Sequence, residues 1–162
     1  MIWLELTVVL SFLMSFSIGA NDAANGLATS YGSNAATLTT LAIIGAIAEF
    51  IGAKYCSDSV AATLSFDIVP EISSLSEENQ KRMMFSVCLC SFLFIMTSCF
   101  FGVPISGTHT VIGALLGGGI QFTGVGSLAW NKLIKIVFSW FLSPTVAMFI
   151  AFVLMSIVTR FT

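Results

Sequence analysis

The sequence predicts an all-α, polytopic membrane helical bundle with broken helices and a re-entrant hairpin. Three observations predict it. Of the 162 residues, 57% are hydrophobic and only 9% charged, against about 25% charged in an average soluble domain. The mean hydropathy is +1.00. The charges are also segregated: no Asp, Glu, Lys or Arg lies between Arg82 and Lys132, or between Lys135 and Arg160. A spanning helix needs about 20 apolar residues. The first gap therefore holds two crossings, or one crossing and a re-entrant hairpin, and the second holds one. Six Lys+Arg and fifteen Phe argue against nucleic-acid binding and against intrinsic disorder. The expected surroundings are the lipid bilayer, and the expected localisation is integral and multi-pass.

The elements follow in order. Residues 2–18 form a first apolar helix with one charge, Glu5. It lacks the basic n-region of a signal peptide, so it is read as retained. Residues 19–37 are small and polar. Residues 38–53 form a second helix, rich in Ala, Ile and Gly. Residues 54–81 are the only long hydrophilic stretch, expected to be a solvated loop; Asp58 to Arg82 carries half of the charged residues. Ser76 followed by Glu77 and Glu78 reads as an N-cap with two acids in the first turn. Residues 82–103 form a third helix, 104–120 a Gly-rich hairpin or half-helix, and 130–160 a final helix around Pro144. Basic residues are spread over several loops, which gives the positive-inside rule little leverage. Cys56, Cys88, Cys90 and Cys99 show no C-x-x-C spacing and read as small apolar fillers.

Three polar features stand out against this background. The first is Gly19-Ala-Asn-Asp-Ala-Ala-Asn25. Intramembrane acids cost a few kcal/mol or more and usually face a cavity or a partner. On a helix, Asn21, Asp22 and Asn25 cluster on one side. Gly19 and Gly26 bracket them and favour a break or a close helix approach. The plainer reading is an inter-helix loop with a cap. The second is Pro104-Ile-Ser-Gly-Thr-His109, followed by Gly113 and Gly117. Gly102 and Pro104 interrupt helix three, and Ser106 or Thr108 can cap a new helix. A helix N-terminus binds anions, and discontinuous helices at mid-membrane recur as substrate sites. The Gly113–Gly117 pair is expected to pack this half-helix closely against a neighbour. His109 is the only histidine; a lone His is more often structural than a proton carrier. The third is Glu49, with Gly45 and Gly52 on its stripe. It points either into the bundle or at the water interface near Lys54. Together these features describe a broken-helix carrier, with N–H groups and hydroxyls for an anion and carboxylates and carbonyls for a cation.

At these residues the chain resembles the inorganic phosphate transporter (PiT) family of sodium- or proton-coupled symporters. Gly19-Ala-Asn-Asp-Ala-Ala-Asn25 resembles its G-A-N-D-V-A-N signature, with Ala23 in place of Val. Thr37 through Glu49-Phe50-Ile-Gly52 resembles the acidic helix that follows. Pro104-Ile-Ser-Gly-Thr-His109 with Gly113 resembles its P-[IV]-S-x-T-H-x-x-x-G hairpin. The resemblance implies that Asn21, Asp22, Ser106, Gly107 and Thr108 contact phosphate. It implies that Asp22, Asn25, Glu49 and His109 serve cation binding and coupling, with Na⁺ at Asp22 and Asn25. It implies no cofactor beyond a coupling ion, Na⁺ or H⁺, and no enzymatic activity.

The family is built from two inverted-topology repeats, and residues 1–162 resemble only one of them. The second is expected in the same longer chain, in a separate half, or in an oppositely oriented copy, in that order. The alternatives are transport of another oxyanion such as sulfate and, from another class, an intramembrane serine hydrolase using Ser106 and His109, which lack an orienting acid nearby and any G-x-S-x-G.

Overall fold

In the computed structural model, residues 2–58 and 67–161 are described. Among them are five α-helices: α1 (Ile2–Gly32), α2 (Leu38–Cys56), α3 (Glu77–Phe100), α4 (Gly107–Thr123) and α5 (Trp130–Phe161), with short 3₁₀ turns at Pro70–Ser74 and Val125–Ser127. Of these helices, α1, α2, α3 and α5 are long and apolar enough to cross a membrane. The all-α membrane bundle is thus observed. Residues 1–128 form one compact unit, and α5 belongs to a second.

The break that Gly19 and Gly26 left open, as the alternative to a close approach, does not occur. α1 runs straight through the polar cluster, so residues 19–32 are its second half and not a loop. Ala and the small polar residues between the glycines are compatible with a helix; a Cβ at Gly19 would meet only Glu49 Oε2, at 3.9 Å, and one at Gly26 nothing within 4 Å. α1 ends where Asn34 takes a positive φ of 57°. Thr37 then caps α2, its Oγ1 accepting the Thr40 N–H at 3.3 Å. α2 runs back along α1: Gly45 faces Leu27, and Glu49 faces Gly19.

α3 starts five residues earlier than the apolar pattern alone indicates. Ser76 is its N-cap, accepting the Asn79 N–H at 3.4 Å. Glu77–Lys81 and Glu78–Arg82 form i,i+4 ion pairs across its first turns, the spacing at which opposite charges meet on a helix surface. α3 runs parallel to α1: Trp3 meets Phe85 edge-on at 5.2 Å, Ser11 lies 3.6 Å from Cys88, and Asn21 reaches Ser98.

The helix stops with a Schellman motif. Gly102 N–H bonds to Cys99 O (3.1 Å) and Val103 N–H to Ser98 O (3.0 Å), while Gly102 holds φ at 64°, a conformation that only glycine adopts cheaply. Pro104 cannot resume the helix. Ser106 starts α4, which returns antiparallel to α3, its Gly118 against Met83 and Val87. The tip of this hairpin lies beside Asn21. α1 continues from Asp22 to Gly32, about 16 Å further, so the tip lies within the span of α1 and the hairpin is re-entrant relative to it.

Two packing expectations need correction. Gly113 and Gly117 face open space within this unit. The close contacts are at the next two residues, Gly118 and Gly119, where a Cβ at Gly119 would sit 2.9 Å from Val69 Cγ2 and 2.8 Å from Leu128 Cδ2. Second, the 54–81 stretch is not simply a solvated loop. α2 reaches to Cys56, residues 59–66 lie outside the described residues, and Ile68, Val69 and Ile72 are buried with Met83, Val87, Ile112, Leu115 and Leu128. These residues form the core, at the end of the unit opposite the hairpin tip.

α5 is described by itself. It is continuous through Pro144. Thr145 returns its hydroxyl to Phe141 O at 2.8 Å.

Gly119→Ala should destabilise the folded chain by about 1–3 kcal/mol through overpacking, whereas Gly117→Ala should be neutral or slightly stabilising. Thermal unfolding of both variants in detergent checks the pair; equal midpoints would contradict the packing described.

Candidate functional site

The site forms where three polar elements meet: the middle of α1, the α3–α4 break, and α2 at Glu49. Asn21 is 6% exposed, and its side chain is fully engaged. Its Oδ1 accepts the Ile105 backbone N–H at 3.2 Å, and its Nδ2 donates to Ser98 Oγ at 3.2 Å and to Cys99 Sγ at 3.6 Å. Asn21 thereby fixes the extended residues before α4.

Ser106 ends that extended stretch. Its Oγ accepts the His109 N–H at 3.3 Å, and its carbonyl accepts the Thr110 N–H at 3.1 Å. Of the two candidate caps, Ser106 is therefore the one used. Its hydroxyl is committed to the helix start, a role for a cap and not for a nucleophile paired with His109. The first-turn N–H groups of Gly107 and Thr108 have no intrahelical carbonyl to bond, and α4 adds its partial positive charge there.

Asp22 lies at this helix start. A Cβ on buried Gly107 would be 3.7 Å from Asp22 Oδ2 and 3.3 Å from Ile18 Cγ2, so the absence of a side chain lets α4 begin against α1. Asp22 Oδ1 accepts from Asn25 Nδ2 at 3.4 Å. The i,i+3 cluster expected from the sequence is present, with a division of labour: Asn21 turns toward the break, Asp22 toward the first turn of α4, and Asn25 supports Asp22.

Glu49 belongs to α2 and faces α1. A Cβ on Gly19 would lie 3.9 Å from Glu49 Oε2. Asp22 and Glu49 line one cavity of about 370 Å³ whose other walls are small residues, including Gly19, Ala23, Gly26 and Gly45. Of the two placements open for Glu49, the structure thus adopts the one turned toward the bundle. A second cavity, about 500 Å³, is lined by Asn21, Asn25, Cys99, Gly102 and Pro104. Ser106 and His109 line a third, about 490 Å³, with Cys90, Phe94 and Gly113. No residue lines both the first and the third cavity.

Sequence reasoning missed Ser98 and Cys99. Both lie inside an apolar run, and only their approach to Asn21 distinguishes them from the other small residues of α3.

The arrangement sets the Asp22 carboxylate beside the free N–H groups of a helix start, and the same Asp22 shares a cavity with Glu49. Comparisons with known proteins show the family. The sequence profile of the phosphate transporter family matches residues 18–162. A protein of Pyrococcus horikoshii named as a phosphate permease is 34% identical over 98% of this chain and 39% of its own length. The chloroplastic inorganic phosphate transporter 2-1 of Arabidopsis thaliana is 30% identical over 96% of this chain and 27% of its own length. A solved structure described as the sodium-dependent phosphate transporter superposes with a TM-score of 0.83 at 33% identity, covering 89% of this chain and 36% of that one. The chain spans about two-fifths, or less, of the length of these relatives. It is an integral, multi-pass membrane chain, and it belongs to the phosphate transporter family.

Proposed function

We propose that this chain is one repeat of a cation-coupled inorganic phosphate symporter, with Na⁺ as the coupling ion. The observation that carries the reading is Asp22 at the start of α4. Phosphate would sit at the N–H groups of Gly107 and Thr108, with the Thr108 hydroxyl beside it and Ser106 shaping the turn. Asn21 would act by holding that turn in place. Asp22 and Asn25 would hold Na⁺, with Glu49 in the adjoining cavity and His109 on the far side of α4 adjusting the charge of the hairpin.

The coupling follows from charge. Two unit negative charges about 4 Å apart repel by about 4 kcal/mol at an effective dielectric near 20, roughly a thousandfold in affinity. An anion at α4 beside an uncompensated Asp22 is therefore excluded, and a cation on Asp22 removes the penalty. Differential binding of this kind is what links the two ligands. The sodium dependence named for the structural relative supports Na⁺ over H⁺.

A second repeat would complete the site. Asn25, Glu49, Ser106, Thr108 and His109 are exposed in this unit, and polar groups at membrane depth face a partner or a cavity. The relatives' greater length supports a second repeat in the same longer chain.

Asp22→Asn should lower Na⁺-driven phosphate uptake into proteoliposomes at least a hundredfold with insertion unchanged; undiminished uptake removes Asp22 from the site. Choline in place of Na⁺ should abolish uptake, a protonophore should leave it intact, and equimolar sulfate should not compete. Reconstituted alone, the chain should be inactive, and joined to a second repeat it should transport. Activity of the isolated chain would point to an oppositely oriented pair of copies.

A further inference from the structure

We infer that Ser98 is a positioning residue for the phosphate site, acting through Asn21 and resting on the reading above. Ser98 is buried, 9% exposed, and sits on α3 beyond contact with the proposed ligands. Its Oγ–H is committed to Ile95 O at 2.7 Å. Its oxygen can therefore only accept from Asn21, and does so from Nδ2 at 3.2 Å. That choice fixes the carboxamide's orientation: with Nδ2 on Ser98, Oδ1 faces the Ile105 N–H and accepts it at 3.2 Å. A flipped carboxamide would place oxygen against the Ser98 lone pairs and NH₂ against the Ile105 N–H, losing both bonds.

The relay runs from Ile95 O through Ser98 Oγ and the Asn21 amide to Ile105, one residue before the Ser106 cap. Ser98 acts twice on this turn, because its carbonyl also accepts the Val103 N–H at 3.0 Å. Removing the hydroxyl leaves the carbonyl bond and the helix intact. It leaves the carboxamide held only by the Ile105 N–H and the weak Cys99 Sγ contact at 3.6 Å, and the restraint on Ile105 and on the first turn of α4 weakens. A buried hydrogen bond of ordinary net worth corresponds to about a fivefold change in an equilibrium.

Ser91 provides the control. It is also buried on α3, but its Oγ has no hydrogen-bond partner among the described residues. Ser91→Ala thus removes a buried hydroxyl without touching the relay.

The test is amide hydrogen exchange at Ile105 in the detergent-solubilised chain, with inorganic phosphate affinity in Na⁺ measured on the chain joined to its second repeat. Ser98→Ala should speed exchange at Ile105 and raise the phosphate Kd, each about fivefold, with maximal transport nearly unchanged. Ser98→Thr, which keeps the hydroxyl, should restore both, and Ser91→Ala should move neither. If Ser98→Ala does not fold, Ser98→Cys, whose thiol is a weak acceptor, takes its place with the same expectation. Unchanged exchange at Ile105, or no rescue by Thr, overturns the inference. Faster exchange in Ser98→Ala alongside an unsubstituted protein that binds no phosphate overturns the proposed function and leaves the relay standing.

Discussion

The contact between the Asn21 carboxamide and the Ile105 backbone N–H is the one on which the rest of the site depends. A broken helix inside a bilayer exposes backbone groups where no water can satisfy them, at several kcal/mol each. Here the break is closed from three directions. The Schellman bonds of Gly102 and Val103 finish α3, the Ser106 side chain starts α4, and Asn21 reaches across from α1 to take the N–H between them. Without that third element, the position of the α4 start relative to α1 would rest on side-chain packing alone. With it, Gly107 is held against Ile18 and Asp22.

Much of this was legible in the sequence because it rests on local chemistry. Caps at Ser76 and Ser106, the stop at Gly102-Val-Pro104 and the start of α2 at Leu38 each depend on a few neighbouring residues. What was not legible depends on partners far along the chain. Gly19 and Gly26 could mark a break or a close approach, and the structure shows a continuous helix in which Gly19 lies under Glu49 of α2 and Gly26 faces open space. The Gly113–Gly117 spacing suggested a packing face, but Val69 and Leu128 select Gly119. Ile68 and Val69 sit among acidic residues and read as loop, although they fill the core beneath α4. The site divides the same way. The Asn21–Asp22–Asn25 cluster follows from helical spacing, while the placing of His109 and of Asp22 with Glu49 on different cavities does not.

The two ends of the unit serve opposite purposes. At the core end, large apolar side chains from α3, α4 and the 68–72 segment interlock and tolerate little change. At the tip end, α1 and α2 meet through Gly and Ala, which leave space in which two carboxylates share a cavity. Small residues at a helix interface usually bring backbones together. Here they also leave room for polar groups at membrane depth, so a single composition bias serves packing and chemistry together.

The parallel course of α1 and α3 has a consequence for biogenesis. The partners of Asn21 lie 77 and 84 positions later in the chain. At about 5–20 residues per second of synthesis, that is a delay of about 4–17 s. During that interval α1 resides in or beside the insertion machinery with its central carboxamide unpaired and Asp22 uncovered. The uncharged stretch from Leu6 to Ile18, whose Thr7, Ser11, Ser15 and Ser17 turn their hydroxyls back onto the helix, is apolar enough to hold α1 in the bilayer meanwhile. An α3–α4 pair that enters at the wrong depth leaves the Asn21 carboxamide without its Ser98 and Ile105 partners.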